Sequence, residues 1–94
     1  MPTDPLTRTV EIVNSRGLHA RAAARFVRMA ETFDAAIIVE KDGTAVSGTS
    51  IMGLMMFAAA PGSRIAISAS GAEAQAALEA LAALVADGFG EDQA

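Results

Sequence analysis

The chain of 94 residues has no cysteine, no tryptophan and no tyrosine, and only four phenylalanines. Without cysteine it can form neither a disulfide nor a thiolate metal site, which fits a reducing compartment. With so few aromatic side chains, a surface on which nucleic-acid bases stack is not expected. Basic residues are scarce too, because seven lysines and arginines stand against eleven acidic residues, for a formal net charge of −4. Nucleic acid is therefore not expected as a partner, since non-specific binding neutralises phosphates with Lys and Arg.

Long apolar segments are also missing. The longest apolar run, residues 51–61, is far shorter than the roughly 20 residues of a membrane-spanning helix, and the N-terminus lacks the basic-then-apolar pattern of a secretory signal. We therefore predict a cytoplasmic protein with no membrane association. At this length a single domain over residues 1–94 is expected, with residues 1–6 as a loose arm and residues 89–94 as an acidic tail that frays from Gly90 onward.

The periodicity of the apolar side chains predicts seven elements. The strands are expected at residues 8–14, 36–40, 44–47 and 64–70, and the helices at residues 20–33, 51–57 and 71–86. Asp42-Gly43 is typical of a tight hairpin turn between two of the strands. The order βαββαβα, with one apolar stripe on each helix, favours an α+β fold of two layers, in which three helices cover one face of a four-stranded antiparallel sheet.

Two helix starts carry capping signals. Ser50 or Thr49 is placed to cap the short second helix. Ser70 and Glu73 have the spacing of a capping box for the third helix, in which Glu73 reaches back to the cap residue's N–H.

His19 is the only histidine, and it lies where a strand, a glycine break and a helix start meet. The first N–H groups of a helix have no partner within it and carry partial positive charge, so this position favours a bound phosphate. A neutral imidazole has a ring nitrogen that can attack phosphorus. Arg21, in the first turn, can donate two hydrogen bonds to phosphate oxygens.

Other roles for His19 stay open on position alone. A solitary histidine near a helix start is more often a polar surface residue. A metal site needs further ligands, and the chain has no second histidine and no cysteine, so neither a metal nor a cofactor is predicted. A serine hydrolase is disfavoured because the chain lacks the Gly-x-Ser-x-Gly turn that exposes such a nucleophile.

Two separate segments resemble a known family. Residues 14–27, NSRGLHARAAARFV, are similar to the active-site segment of HPr, the histidine-containing phosphocarrier of the bacterial phosphotransferase system. Residues 49–55, TSIMGLM, resemble that family's regulatory serine and short helix. The spacing of the two segments also agrees, and the resemblance extends over residues 8–88. It implies the open-faced β-sandwich of four strands and three helices, in agreement with the predicted element order.

The resemblance implies a stoichiometric carrier rather than an enzyme. His19 is expected to take phosphate on Nδ1 from the phosphoenolpyruvate-dependent first enzyme of the system and to pass it to a downstream EIIA-type acceptor. Arg21 is expected to steady the phosphoryl group, and the protein is expected to be a monomer. The family usually has proline after this arginine, whereas this chain has Ala22, which preserves the helix and leaves the loop of His19 less rigid.

The same resemblance assigns a regulatory role to Ser50 as the site phosphorylated by HPr kinase/phosphorylase. Thr49 stands where the family commonly has lysine. A phosphate at a helix N-cap is compatible with the helix dipole, so its effect would be to add negative charge to the surface that partners approach.

A docking surface is predicted beside His19. Ile51, Met52 and Met55 are predicted to be exposed, and methionines adapt to several partner shapes. Arg21, Arg25 and Arg28 are predicted to rim this surface and to meet acidic partners, although a solvated helix face is the default for such side chains.

Two alternatives to the carrier stay open. The first is a regulatory protein-binding module controlled mainly by phosphorylation of Ser50, with His19 secondary. The second is an unrelated two-layer domain that binds a small metabolite. Within the carrier hypothesis, residues 88–92 resemble tails of the nitrogen-related branch of the phosphotransferase system, and sugar transport is not excluded.

Overall fold

The structure, a computed structural model, describes residues 5–91 of the chain. Most of the predicted N-terminal arm, residues 1–4, and the last three residues of the predicted tail lie outside the described residues. The elements are β1 (Leu6–Glu11), α1 (Ala20–Glu31), β2 (Ala36–Lys41), β3 (Thr44–Ser47), α2 (Ile51–Met56), β4 (Arg64–Ser70), α3 (Ala74–Ala86) and a 3-10 turn at Gly88–Gly90.

The four strands form one antiparallel sheet in the order β1-β4-β2-β3. β2 and β3 are joined through Asp42 and Gly43, which both have positive φ (52° and 83°), as the tightest hairpin turns require. The three helices pack on one face of this sheet, where their apolar sides meet the buried side chains of the strands. The predicted fold, an α+β open-faced sandwich, is confirmed.

One core lies between the sheet and the helices. Apolar residues of α1 recur every three or four positions, so they share one face and are buried together: Ala22, Ala23, Phe26, Val27 and Ala30. β2 alternates buried and exposed side chains, and β4 alternates buried and mostly half-buried ones. Together they contribute Ile37, Val39, Ile65 and Ile67 to the core. None of the described helices is long and apolar enough to cross a membrane.

The ends of several elements differ from the sequence prediction, most of all those of β1, α1 and α3. β1 begins at Leu6 and ends at Glu11, because its ladder with β4 pairs Leu6 with Ala69 and Glu11 with Arg64. Leu6 therefore belongs to the sheet and not to the predicted arm. α1 ends at Glu31, two residues earlier than expected, where the following Thr32 donates its hydroxyl to the Met29 carbonyl at 2.7 Å.

The capping box predicted for α3 is wrong. α3 starts at Ala74 with Glu73 as its N-cap residue, and Glu73 makes no side-chain cap. Its carboxylate accepts instead a hydrogen bond from the Asp34 N–H at 2.7 Å, and its own N–H donates to the Asp34 carbonyl at 2.9 Å. The partner lies 39 residues away, so local spacing gave no indication of it.

The predicted tail is ordered as far as the structure describes it. Phe89 is fully buried, and the Glu91 N–H donates to the Gly88 carbonyl at 3.0 Å. Gly88, Phe89 and Gly90 all have positive φ, a conformation that glycine adopts readily and phenylalanine rarely. The expectation of an acidic tail over 89–94 that frays from Gly90 is therefore wrong for residues 89–91.

Candidate functional site

His19 is the N-cap residue of α1. Its backbone is extended, and its carbonyl accepts the first helical hydrogen bond from the Ala23 N–H at 2.8 Å. Its side chain makes no cap hydrogen bond, so the imidazole does not occupy the N–H groups of the first turn. The side chain is 17% exposed, which leaves part of the ring accessible at the surface.

The loop before His19 is fixed by backbone contacts. Gly17 has a φ of +65°, and a Cβ at this position would collide with the carbonyl oxygen of Ala59, so the turn requires glycine. The Leu18 N–H donates to that same carbonyl at 3.0 Å, and the Leu18 side chain is buried. His19 is therefore held between this anchored loop and the start of α1.

Glu91 contacts His19 from the far end of the chain. Its Oε2 is hydrogen-bonded to Nε2 of His19, and its Oε1 accepts from Nδ2 of Asn14 at 2.9 Å. Asn14 is fully buried, and its Nδ2 also donates to the Gly17 carbonyl at 2.8 Å. Because both partners of Nδ2 are acceptors, the amide group of Asn14 must present its nitrogen to them. Asn14 thus joins the histidine loop to the carboxylate.

The ionisation of Glu91 determines which nitrogen of His19 carries the proton. Burial pushes the pKa of Glu91 up, but hydrogen bonds from Asn14 and His19 and the charges of His19 and Arg16 outweigh it, and the pKa lies below its ordinary 4.5. An ionised carboxylate can only accept hydrogen bonds, so Nε2 of His19 is the donor. Within residues 5–91 no hydrogen bond engages Nδ1, whose lone pair is the nucleophilic one on a neutral ring.

The C-terminal turn that carries Glu91 is itself held at two points. The Phe89 side chain is buried in the core, and Nη1 of Arg25 donates to the Phe89 carbonyl. Arg25 was predicted to rim a docking surface. The structure places it partly buried against the C-terminal turn, where it makes a contact within the chain.

Two further arginines lie near Glu91. Arg16 and Arg21 line a surface depression together with Arg25 and the backbone around Gly90. Arg21 is exposed in the first turn of α1, as predicted. Arg28 is exposed as well, but it lies seven residues further along the helix, about 10 Å at 1.5 Å per residue. The structure therefore brings Arg21, and not Arg28, to the neighbourhood of His19.

A mostly apolar depression also borders His19. Its lining includes Leu18, Met55 and residues 58–61. Ile51, Met52 and Met55 on α2 are exposed, which confirms this part of the sequence prediction, and Met56 is the most exposed of all at 81%. Only Leu54 of this six-residue helix is buried, so α2 presents a nearly continuous apolar surface.

Ser50 is the N-cap residue of α2. Its Oγ accepts a hydrogen bond from the Gly53 N–H at 3.0 Å, which confirms the predicted capping role. Thr49 makes no contribution to this cap, because its hydroxyl is paired with that of Ser47 at 2.9 Å.

Across residues 5–91, no three His, Cys, Asp or Glu side chains group closely enough to hold a metal ion.

Comparison with known proteins assigns the family. Residues 6–87 match the family model described as the PTS HPr component phosphorylation site. The chain belongs to the HPr family. It is therefore a stoichiometric phosphoryl carrier of the phosphotransferase system and not a catalyst.

The HPr relatives cover nearly the whole chain. Phosphocarrier protein HPr of Neisseria meningitidis serogroup A is 43% identical over 88 residues, which are 94% of this chain and 99% of that protein. Phosphocarrier protein NPr of Escherichia coli K12 is 38% identical over 86 residues, 90% of this chain and 96% of that protein. The crystal structure of HPr-C-His from Thermoanaerobacter tengcongensis has a TM-score of 0.88 and 42% identity, covering 93% of this chain and 98% of that one.

Sequence reasoning missed Asn14, Phe89 and Glu91 as parts of the site. Asn14 stood inside the segment that carries the HPr resemblance, but nothing local indicated that its amide is buried. The signal for the other two was the phenylalanine between two glycines after α3. A single large apolar residue in such a setting is typical of an anchor that returns the chain to the core.

Proposed function

We propose that His19 is the phosphorylated residue of this HPr-family carrier. Its Nδ1 accepts the phosphoryl group from the phosphoenolpyruvate-dependent first enzyme of the system and gives it to a downstream EIIA-type acceptor. The observation that carries this proposal is the hydrogen bond of Nε2 to the ionised Glu91. It holds the proton on Nε2 and leaves the lone pair on Nδ1 as the nucleophile.

The surroundings of His19 suit a phosphoryl group. The first N–H groups of α1 and its dipole favour negative charge at this position. Arg21 is exposed in the same turn and, with Arg16, lines the depression next to the carboxylate that holds the ring. We assign Arg21 as the residue that binds the phosphoryl oxygens, because a guanidinium can donate two parallel hydrogen bonds to them.

Docking is assigned to the exposed apolar surface of α2. Ile51, Met52 and Met55 belong to this surface, and Met55 also lines the depression that borders His19. A partner seated there would have its reacting group near the imidazole. Arg28 supplies an exposed basic edge for acidic partners, whereas Arg25 is engaged with the C-terminal turn.

Ser50 is proposed as a second, regulatory phosphorylation site, modified by HPr kinase/phosphorylase. Its hydroxyl caps α2 directly beside the apolar docking surface. A phosphate there can keep the cap, because its oxygens accept hydrogen bonds from the same N–H groups. The added charge would repel acidic partners and would place a strongly hydrated group at the edge of an apolar interface.

The test is a reconstituted transfer assay. The protein is incubated with labelled phosphoenolpyruvate and the first enzyme, and then offered sugar-branch and nitrogen-branch acceptors in parallel. Wild type should acquire acid-labile label and lose it to one acceptor, and His19→Ala should acquire none. Label that persists in His19→Ala contradicts the proposal.

The parallel acceptors also assign the branch. The relatives include both HPr and NPr proteins at similar identity, so the acceptor that discharges the protein faster identifies the branch in which it works. We further propose that the carrier is cytoplasmic and acts as a monomer. Sedimentation at working concentration tests the monomeric state.

A further inference from the structure

The Glu91 carboxylate contacts Nε2 of His19, the ring nitrogen that does not react in the proposed function. The contact joins two distant parts of the chain, because Asn14 and His19 of one loop bind the two oxygens of Glu91. The buried Phe89 ring and the Arg25 guanidinium hold the turn in place. Glu91 therefore reaches His19 through an anchored turn and not as the end of a loose tail.

We propose that Glu91 is a positioning residue for phosphoryl transfer, which orients the His19 ring and stabilises the positive charge that the ring gains when Nδ1 is phosphorylated. This inference rests on the proposed function of His19. A carboxylate that holds an imidazole in one tautomer and stabilises its cation serves the same purpose in hydrolases.

The transfer balances with the proton left in place. The lone pair of Nδ1 on His19 forms the new bond to phosphorus, and the bond from phosphorus to the donor atom of the phosphorylated first enzyme breaks, with its electron pair staying on that atom. The proton remains on Nε2, so the phosphorylated ring is an imidazolium hydrogen-bonded to Glu91. In the onward step the bond from Nδ1 to phosphorus breaks, and the ring leaves as neutral imidazole, a better leaving group than its anion.

Within residues 5–91 the other charged side chains that line the site are positive, and the carboxylate of Asp87 lies next to Gly90 in the same turn. Arg16 approaches from the loop, and Arg21 and Arg25 from α1. α2 and residues 58–61, which face His19 from the apolar depression, carry no ionisable side chain. The arginines attract the phosphoryl oxygens but cannot stabilise an imidazolium. Among the described residues that contact or line this site, Glu91 is the group with the charge to do so.

Two measurements on wild type, Glu91→Gln and Glu79→Gln test the inference. Glu79 is an exposed carboxylate on α3 that does not line the site, so its variant makes the same chemical change away from His19. The first measurement is proton NMR of the unphosphorylated protein. Wild type and Glu79→Gln should show a ring Nε2–H that exchanges slowly with water, and Glu91→Gln should exchange it at least about tenfold faster, as expected for the loss of a charge-assisted hydrogen bond.

The second measurement is the single-turnover transfer rate as a function of pH. Glu91→Gln should transfer at least about tenfold more slowly. As the pH is raised, its onward transfer should also decline at a lower pH than that of wild type, because the phosphorylated ring loses its Nε2 proton more easily without the carboxylate. A merely structural contact would slow neither step and would leave the pH profile unchanged. Glu79→Gln should follow wild type in both respects.

Three results overturn the inference while the proposed function still holds. Equal rates and equal pH profiles for wild type and Glu91→Gln would show that the contact has a structural role only. Faster transfer in Glu91→Gln would show that Glu91 inhibits transfer by shielding the histidine. A wild-type Nε2–H that exchanges as fast as in Glu91→Gln would show that the contact does not form in solution. If wild type is not phosphorylated on His19 at all, the proposed function fails and this inference fails with it, while the first measurement still reports whether the contact exists.

Discussion

The buried amide of Asn14 donates a 2.9 Å hydrogen bond to the carboxylate of Glu91, which lies 77 residues further along the chain. The same amide nitrogen donates a second hydrogen bond to the carbonyl of Gly17, in the loop that leads to His19. One side chain therefore fixes the loop and the carboxylate relative to each other. The C-terminal turn is part of the site because of this link.

Phe89 should be the residue on which the position of Glu91 depends most. Its ring is fully buried although its backbone has a φ of +60°, so packing outweighs a local conformational cost of about 1 kcal/mol or more. We predict that Phe89→Ala lowers the free energy of unfolding by about 3 kcal/mol or more, the range for removing a buried aromatic ring. Urea denaturation of this variant and of Phe89→Leu measures the effect. A loss below about 1 kcal/mol in Phe89→Ala would contradict the burial of the ring in the core.

Acidification should remove the contribution of Glu91 to stability. Its pKa in the folded protein lies below its ordinary 4.5, so the ionised carboxylate stabilises the fold above that value. This stabilisation is lost as the pH falls through the lower pKa of the folded state. We predict that the difference in unfolding free energy between wild type and Glu91→Gln is larger at pH 5.5 than at pH 3. A difference that stays constant between these two conditions would contradict the pKa shift.

Ser50 should contribute to stability without any modification. Its Oγ is the acceptor for the Gly53 N–H at the start of α2. Ser50→Ala should lower the free energy of unfolding by about 1 kcal/mol, the usual value of an N-cap, whereas Ser50→Asp keeps an acceptor and should lose much less. Thr49→Ala is the matched control, since Thr49 does not cap this helix. Equal losses in Ser50→Ala and Thr49→Ala would contradict the capping role.

Arg21 and Arg28 should differ in the step that they affect. Arg21 lines the depression beside the carboxylate that holds His19, and Arg28 is exposed two turns further along α1. Arg21→Ala should slow transfer about tenfold even at saturating first enzyme, because a charge-assisted hydrogen bond to the transferring group is lost. Arg28→Ala should raise KM only, since a charge at the rim affects encounter more than chemistry. An Arg21→Ala defect that disappears at saturation would assign Arg21 to docking instead.

Much of the fold followed from local patterns. The apolar stripe of α1 from Ala22 to Ala30 and the alternation in β4 depend on periodicities of 3.6 and 2 residues, which are properties of each segment alone. The turn at Asp42-Gly43 and the cap at Ser50 depend on the conformation or hydrogen bonding of single residues, and both were predicted from the sequence. The early part of the candidate site, Gly17 to Arg21, was found because it lies in one continuous segment.

The parts that escaped prediction depend on partners distant in the chain. Glu73 had the spacing of a capping box, but tertiary structure gave its carboxylate a closer donor at Asp34. Glu91 was assigned to a frayed tail because acidic residues at a chain end usually are solvated. Its contact with His19 depends on the burial of Phe89 and on the amide of Asn14. The phenylalanine between two glycines was a local signal for the first, whereas no local pattern indicated the second.

The most direct test of the proposed phosphorylation of His19 is to identify the atom that carries the phosphoryl group. The protein, labelled with ¹⁵N in its histidine ring, is phosphorylated by the first enzyme and examined by ³¹P and ¹⁵N NMR. We predict one phosphorylated residue, His19, with phosphorus bonded to Nδ1 and a proton on Nε2. Phosphorus bonded to Nε2, the nitrogen that Glu91 holds, or phosphate found on Ser50 alone after incubation with the first enzyme, would contradict it.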